Sequence, residues 1–299
     1  MRSLVAGGSG MFGRVLMKTL AGSGEVTGVS KSGKYGTLIC DLANAEQIDD
    51  LFSSNRPDMV IHTAAYSDVD GCERDPKLAH ESNALATKYL AQNCGARGIP
   101  FIYISTDYVF DGRKKTLYTE KDVTCPVNVY GMTKLEGEHY TRSCAPVSAV
   151  VRTSWLFGAG NPNNFVNAIT ERLRKEKIVR VLADQEDSPT YVKDLAFAVQ
   201  KIGEYLAAFI KKTPDLPCHE IFQVCNAGVT TRYEMALKIK ECLRLKDVSV
   251  EKLDKMPAEN RPAIRPSFVA MSTRHYETLF KSKLRRWEES LKEYLNEAA

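Results

Sequence analysis

The tightest constraint on this chain lies at its start. Ser3-Leu4-Val5-Ala6 reads as a short strand, and Gly7-Gly8-Ser9-Gly10-Met11-Phe12-Gly13 follows at once. Val15, Leu16 and Leu20 then recur at helical spacing. A strand, a glycine loop and a helix start form an anion site, because bare backbone N–H groups and the helix N-terminus both favour negative charge. The same arrangement demands a parallel sheet with crossover helices.

The following residues keep to that plan. Strand patterns at 25–29, 37–40, 59–62 and 101–104 alternate with helical patterns, including one over Ile48 and Leu51 that Asn44 caps and a long one over 77–97. The expected fold class is α/β, a doubly wound parallel sheet of the Rossmann type with a smaller α/β substrate-binding lobe. The expected division is residues 1–154 and about 188–226 for the nucleotide-binding part, and about 155–187 and 227–299 for the lobe. Further strands are expected at 148–152, 179–182 and 221–224. Further helices are expected from Asn164-Phe165 onward, over 195–202, over 233–243 and over 285–295.

The second strand ends in Ser30-Lys31-Ser32, where a site for NAD usually carries an acid for the ribose 2′-hydroxyl. A hydroxyl and a cation suit a 2′-phosphate, so NADPH is the expected cofactor and NADH stays open as the alternative. His62 ends the fourth strand and reads as a core histidine rather than a base. The small residues Thr63-Ala64-Ala65 beyond it permit close approach of a cofactor.

Chemistry is expected at the end of the strand Phe101-Ile102-Tyr103-Ile104. Ser105-Thr106-Asp107-Tyr108 follows it, and Tyr130 stands four residues before Lys134. On a helix those two side chains share a face about one turn apart. A hydroxyl, a phenol and an ammonium then converge, with the nearby cation expected to lower the phenol's pKa.

Composition excludes other classes. At 43% hydrophobic and 26% charged residues the chain is an ordinary globular protein, and a net charge of +4 argues against a nucleic-acid partner. The eight cysteines show neither Cys-x-x-Cys nor zinc-finger spacing, so no metal is expected and the thiols read as those of a reduced cytoplasmic protein. No apolar run is long enough to span a bilayer, and the glycine loop comes too early for a signal peptide.

Taken together, these motifs resemble the extended short-chain dehydrogenase/reductases, and within them the dTDP-4-dehydrorhamnose reductase family. The resemblance rests on Gly7-x-x-Gly-x-x-Gly13, Ala64-Ala65-Tyr66-Ser67-Asp68-Val69-Asp70, Ser105-Thr106-Asp107-Tyr108-Val109-Phe110-Asp111-Gly112 and Tyr130-Gly-Met-Thr-Lys134. Arg152-Thr-Ser-Trp155 with Gly158, Asn164-Phe165, Asp184-Gln185 and Ser188-Pro189-Thr190 complete it in order. It departs from the family at Arg265-Pro266, where Val269 and Ser272 replace an expected Ser and Asp. Residue 15 is Val, so a metal-bridged dimer is not expected, although a homodimer is allowed.

The resemblance implies a nucleotide-sugar substrate and the following roles. Gly7, Gly10, Met11, Phe12 and Gly13 hold the pyrophosphate. Ser30, Lys31, Asp41 and Leu42 flank the adenosine, and Ala64, Ala65 and Tyr66 line the cofactor. Thr106 polarises the carbonyl, Tyr130 gives the proton, and Lys134 supports Tyr130 and binds the ribose. Ser67, Val69, Thr106, Asp107, Tyr108, Trp155 and Asn164 meet the substrate. Two alternatives stand beside it. One is a nucleotide-sugar epimerase or dehydratase, made less attractive because Tyr108 follows Asp107 where a second acid is usual. The other is a non-catalytic NADP-binding subunit similar to the methionine adenosyltransferase β subunit.

Overall fold

The computed structural model describes residues 1–162, 164–253 and 261–297. Asn163, residues 254–260 and the last two residues, which fall within the expected lobe, lie outside the described residues.

Seven parallel strands form one sheet. They are β1 (Arg2–Ala6), β2 (Glu25–Ser30), β3 (Leu38–Ile39), β4 (Met59–His62), β5 (Phe101–Thr106), β6 (Val147–Thr153) and, much later, β11 (Cys218–Gln223). Their order is β11-β6-β5-β4-β1-β2-β3. The chain reverses direction across the sheet between β1 and β4, and a crevice opens outside the strand ends at such a point.

Alternation along the strands feeds two cores. Leu4, Val60, Phe101 and Tyr103 face one side, where α2 (Ala45–Asn55), α5 (Ala86–Ala96) and α6 (Val129–Cys144) pack. Val5, Ile61, Ile102 and Ile104 face the other, against α1 (Met11–Ala21) and α8 (Val192–Lys212). Asn44 caps α2 as expected, its side chain accepting the Gln47 N–H at 3.1 Å. The helix expected over 77–97 is α4 (Pro76–His80) and α5 joined by a π-helical turn, Glu81–Leu85. Two of that turn's residues, Glu81 and Ser82, look into the crevice. The short helix α3 (Val69–Arg74) precedes α4 and was not anticipated.

The remaining strands make three two-stranded sheets: β7 (Leu156–Phe157) with β10 (Thr190–Tyr191), β9 (Glu186–Asp187) with β12 (Thr230–Thr231), and β8 (Ile178–Leu182) with β13 (Ser249–Leu253). Helices α7 (Phe165–Lys175), α9 (Arg232–Cys242), α10 (Arg274–Phe280) and α11 (Trp287–Glu297) surround them. Of these pieces, β7, α7 and α9 contribute residues to the crevice.

The departures at Val269 and Ser272 do not reach the crevice. Val269 is fully buried in a satellite core with Val109, Phe110, Tyr118 and Cys225. The Ser272 N–H donates to the Tyr118 carbonyl at 2.7 Å. Arg265 is tied by its guanidinium to Asp70, at 3.0 and 2.7 Å, so the 263–271 segment is strapped to α3.

Candidate active site

Every residue named above as a site candidate lines one cleft of about 980 Å³ at the strand ends. The glycine loop forms its floor. Gly7 has φ +93°, a conformation that glycine adopts without strain. A Cβ on Gly13 would stand 2.2 Å from the Gly7 carbonyl oxygen, so only glycine lets α1 start this close to the loop. Gly10 is the N-cap of α1, with no side-chain cap and no acid in the first turn. The helix N-terminus therefore keeps free N–H groups and positive potential for an anion. These features fit a dinucleotide pyrophosphate.

At the adenosine end the structure adds something unforeseen. Lys31 does not stand alone but pairs with Asp41 at 2.8 Å, and that ammonium holds the Asp41 carboxyl below its usual range. The acid absent from the end of β2 is thus supplied just after β3.

The reactive end is built by β5 and α6. The Asn128 side chain caps α6 by accepting the Gly131 N–H at 2.8 Å, which fixes where Tyr130 and Lys134 emerge. Lys134 is 2% exposed; its Nζ donates to the Ile104 carbonyl at 2.6 Å and lies over the Tyr103 ring at 4.1 Å. Burial pushes this ammonium down to about 7. Tyr130 is half-buried, edge-on to Tyr108. The expected lowering of its pKa by Lys134 is not found. Burial and, after it, the Asp107 charge push the phenol up, while the Lys134 ammonium is aimed at the Ile104 carbonyl. Tyr130 is consequently a protonated donor at neutral pH.

The Thr106 hydroxyl donates to Asp107 Oδ1 at 2.9 Å and accepts the Tyr108 N–H at 3.2 Å. Asp107 has a buried neighbour that spacing did not disclose. Asp187, on β9, is fully buried and raises no carboxyl into the cleft, though its charge acts on Asp107.

Trp155 has φ +39°, which is strained for a bulky side chain. Its indole Nε1 is buried without a partner, a donor left for something other than the chain. Arg232, at the start of α9, was missed by sequence reasoning. Its guanidinium lies over Trp155 at 4.4 Å and over Phe165 at 4.9 Å, lines the cleft, and forms no ion pair among the described residues. The only available signal was a basic residue at a helix N-terminus, where the dipole disfavours it.

Asn164 lines the cleft and caps α7. Its amide donates to the Gly158 and Asn161 carbonyls at 2.9 and 2.8 Å, and its oxygen accepts the Asn167 N–H. It shapes the cleft wall as the cap of α7, with both amide hydrogens spent on the chain. Ser67 is exposed and Val69 half-buried at the outer rim. His62 is fully buried on the sheet, with both ring nitrogens unpartnered, and burial pushes it down to about 3, so it is a neutral core residue.

Comparison with known proteins adds to this geometry. The family model described as RmlD substrate binding domain matches residues 1–299. The chain is 33% identical to the dTDP-4-dehydrorhamnose reductase of Mycolicibacterium smegmatis, over 98% of this chain and 84% of that protein. It is 32% identical to the Bacillus subtilis spore coat polysaccharide biosynthesis protein SpsK, over 98% of this chain and 96% of that one. Among solved structures it resembles the dTDP-4-dehydrorhamnose reductase of Bacillus anthracis in complex with NADP, with a TM-score of 0.89, 29% identity and 99% of each chain covered.

Proposed function

The chain belongs to the RmlD substrate-binding-domain family, and from that premise we infer an NADPH-dependent reduction of the 4-keto group of a nucleotide-linked 6-deoxyhexose. It is an oxidoreductase of the dTDP-4-dehydrorhamnose reductase type. The observation that carries this reading is the meeting of Thr106, Tyr130 and Lys134 in the same cleft as the uncapped glycine-loop helix.

Bound NADPH supplies the hydride. Gly7, Gly10, Met11, Phe12 and Gly13 cradle its pyrophosphate, and Ser30, Lys31, Asp41 and Leu42 meet its adenosine end. Ala64, Ala65 and Tyr66 form the wall beside it, and Lys134 reaches its ribose. Tyr130 delivers a proton to the substrate oxygen, which the raised pKa of the phenol keeps available at neutral pH. Thr106 holds the carbonyl side of the site as charge develops on oxygen. Ser67, Val69, Asp107, Tyr108, Trp155 and the wall shaped by Asn164 surround the sugar. The half-buried Arg232, which forms no ion pair among the described residues, supports an anionic substrate, since partial burial disfavours its charge and an anion that joins it offsets that cost. The diphosphate of a nucleotide sugar supplies that anion.

In this reading residues 1–154 and about 188–226 carry the cofactor, and about 155–187 and 227–299 close over the sugar. The proposal places the enzyme in the cytoplasm, consistent with eight free cysteines, and it allows a homodimer. Among the described residues no helix is long and apolar enough to cross a membrane.

The test is NADPH oxidation against a panel of dTDP- and UDP-linked 4-keto-6-deoxy sugars. Oxidation with at least one of them is expected. Tight NADPH binding with no sugar reduced would overturn the reading in favour of a regulatory subunit.

A further inference from the structure

Arg14 follows Gly13 directly on α1, and its N–H donates to the Gly10 carbonyl at 3.0 Å, which roots the side chain at the helix start. Its guanidinium touches both lips of the cofactor cleft. Nη2 donates to the Gly160 carbonyl at 2.6 Å. The guanidinium carbon lies over the Tyr35 ring at 4.3 Å. Gly160 belongs to the loop beyond Trp155 and lines the cleft together with Gly10 and Met11. Tyr35 belongs to the turn Lys34–Gly36, which follows the cleft residues Ser30 and Lys31 at the adenosine end.

Both contacts are shaped for this side chain. Gly160 has φ +97°, and a Cβ there would collide with Nη2 of Arg14. Tyr35 has φ +57°, costly for an aromatic residue, and is 64% exposed, so the core does not hold its ring in place. The Nε of Arg14 is buried without an acceptor, which leaves the carbonyl and the ring as its grip. The same loop is tied to α1 a second time. The Asn164 amide, which donates to the Gly158 and Asn161 carbonyls, lies 3.8 Å from Met11 Sδ.

Resting on the reductase reading above, we propose that Arg14 is a clasp. It holds the 158–162 loop against the helix N-terminus that takes the NADPH pyrophosphate, and so sets how slowly the cofactor leaves. Arg14 is a positioning residue: its hydrogen bond goes to the Gly160 carbonyl, so what it fixes is the loop. A cation beside a diphosphate also acts by charge, and the two roles separate in the rates. Long-range attraction speeds arrival, whereas a clasp slows departure.

Stopped-flow fluorescence of NADPH binding to the full chain, without sugar, tests this. Arg14→Met keeps the stem and removes the hydrogen bond, and Gly160→Ala disturbs the same contact without altering any charge. Arg14→Met is expected to release NADPH about tenfold faster than wild type, the scale of one charge-assisted hydrogen bond. Gly160→Ala should also release it faster, at an unchanged association rate. The double variant should release it no more than about twofold faster than the faster single variant, because both changes remove one contact. Unchanged release in Arg14→Met overturns the clasp, and slower association with unchanged release assigns the residue to charge alone. Effects that multiply in the double variant mark two independent lesions and overturn it too. Hydrogen exchange supplies a second arm. The amides of residues 158–161 are expected to exchange more slowly in NADPH-bound wild type than in NADPH-bound Arg14→Met, and equal exchange overturns the clasp. A wild type that binds NADPH but reduces no keto sugar overturns the functional reading and leaves these rates readable, so the two fail separately. A wild type that binds no NADPH overturns both.

Discussion

Glu138 on α6 and Arg152 on β6 form a two-pronged ion pair, at 3.0 and 2.7 Å, one helical turn beyond Lys134. Both side chains are 3% exposed, and Ser105 donates to the same Glu138 carboxylate at 2.5 Å. The pair holds the helix that carries Tyr130 and Lys134 against β6, and Ser105 ties the same carboxylate to β5, which ends at Thr106. Arg152→Met leaves the carboxylate buried without its cation. A loss of about 3–5 kcal/mol is expected in urea unfolding. A cost below about 1 kcal/mol would show that the pair does not anchor α6.

Tyr130→Phe removes one oxygen and keeps the ring. Turnover of the keto sugar should fall by about 10²–10⁴-fold with little change in the Michaelis constant. Thr106→Val should also lower turnover and leave NADPH binding intact. Steady-state kinetics beside a fluorescence titration of NADPH separates these effects; full activity in Tyr130→Phe would remove the phenol from the mechanism.

The buried Lys134 gives the protein a distinctive pH dependence. Its pKa is lowered from the ordinary lysine value to about 7 in the folded state. Between about pH 7 and the unfolded value near ~10.4 the unfolded chain binds more protons, so stability must rise with pH there. Below pH 7 both states are protonated and the cost of burying the charge is fully present. The stability of wild type relative to Lys134→Met should therefore increase from pH 7 to pH 9 in chemical denaturation. A constant difference would mean that the ammonium is not destabilised by burial.

At the adenosine end, Lys31 and Asp41 are an exposed pair with opposite consequences for a 2′-phosphate. NADPH should bind more tightly than NADH. Lys31→Ala should shrink that preference, and Asp41→Asn should enlarge it by about two- to fivefold, the scale of an exposed ion pair. Equal dissociation constants for the two cofactors in wild type would contradict this.

Arg232→Met keeps a long apolar stem against Trp155 and Phe165 but removes the charge. The Michaelis constant for the nucleotide sugar should rise about ten- to a hundredfold, as expected for charge-assisted hydrogen bonds to a diphosphate. NADPH affinity should not move. An unchanged Michaelis constant would assign Arg232 to packing alone.

Local pattern carried the sheet and the floor of the cleft, because both are written within short windows. Gly7, Gly10 and Gly13 lie within seven residues, and Tyr130 and Lys134 share one helix face. A continuous apolar run along β5 marks the strand that ends at Thr106. What stayed hidden depends on partners far apart in the chain. Asp187 read as part of a polar loop, whereas the fold places it on β9, paired with β12 and fully buried. Arg232 is the first residue of a helix whose expected start was one position later. The direction of the Lys134 ammonium is set by a carbonyl on β5, which no periodicity reports.

The position of β11 has a consequence for how the protein is made. This strand closes the sheet beside β6, yet the whole of β7 to β10 and two helices are synthesised between them. A chain emerging from the ribosome therefore presents β6 as a bare edge until residues 218–223 follow. Such an edge is a template for pairing with other chains. Slow or interrupted translation in the stretch before β11 should favour aggregation, and chaperone demand should peak there rather than at the cofactor loop, which is complete almost as soon as synthesis begins.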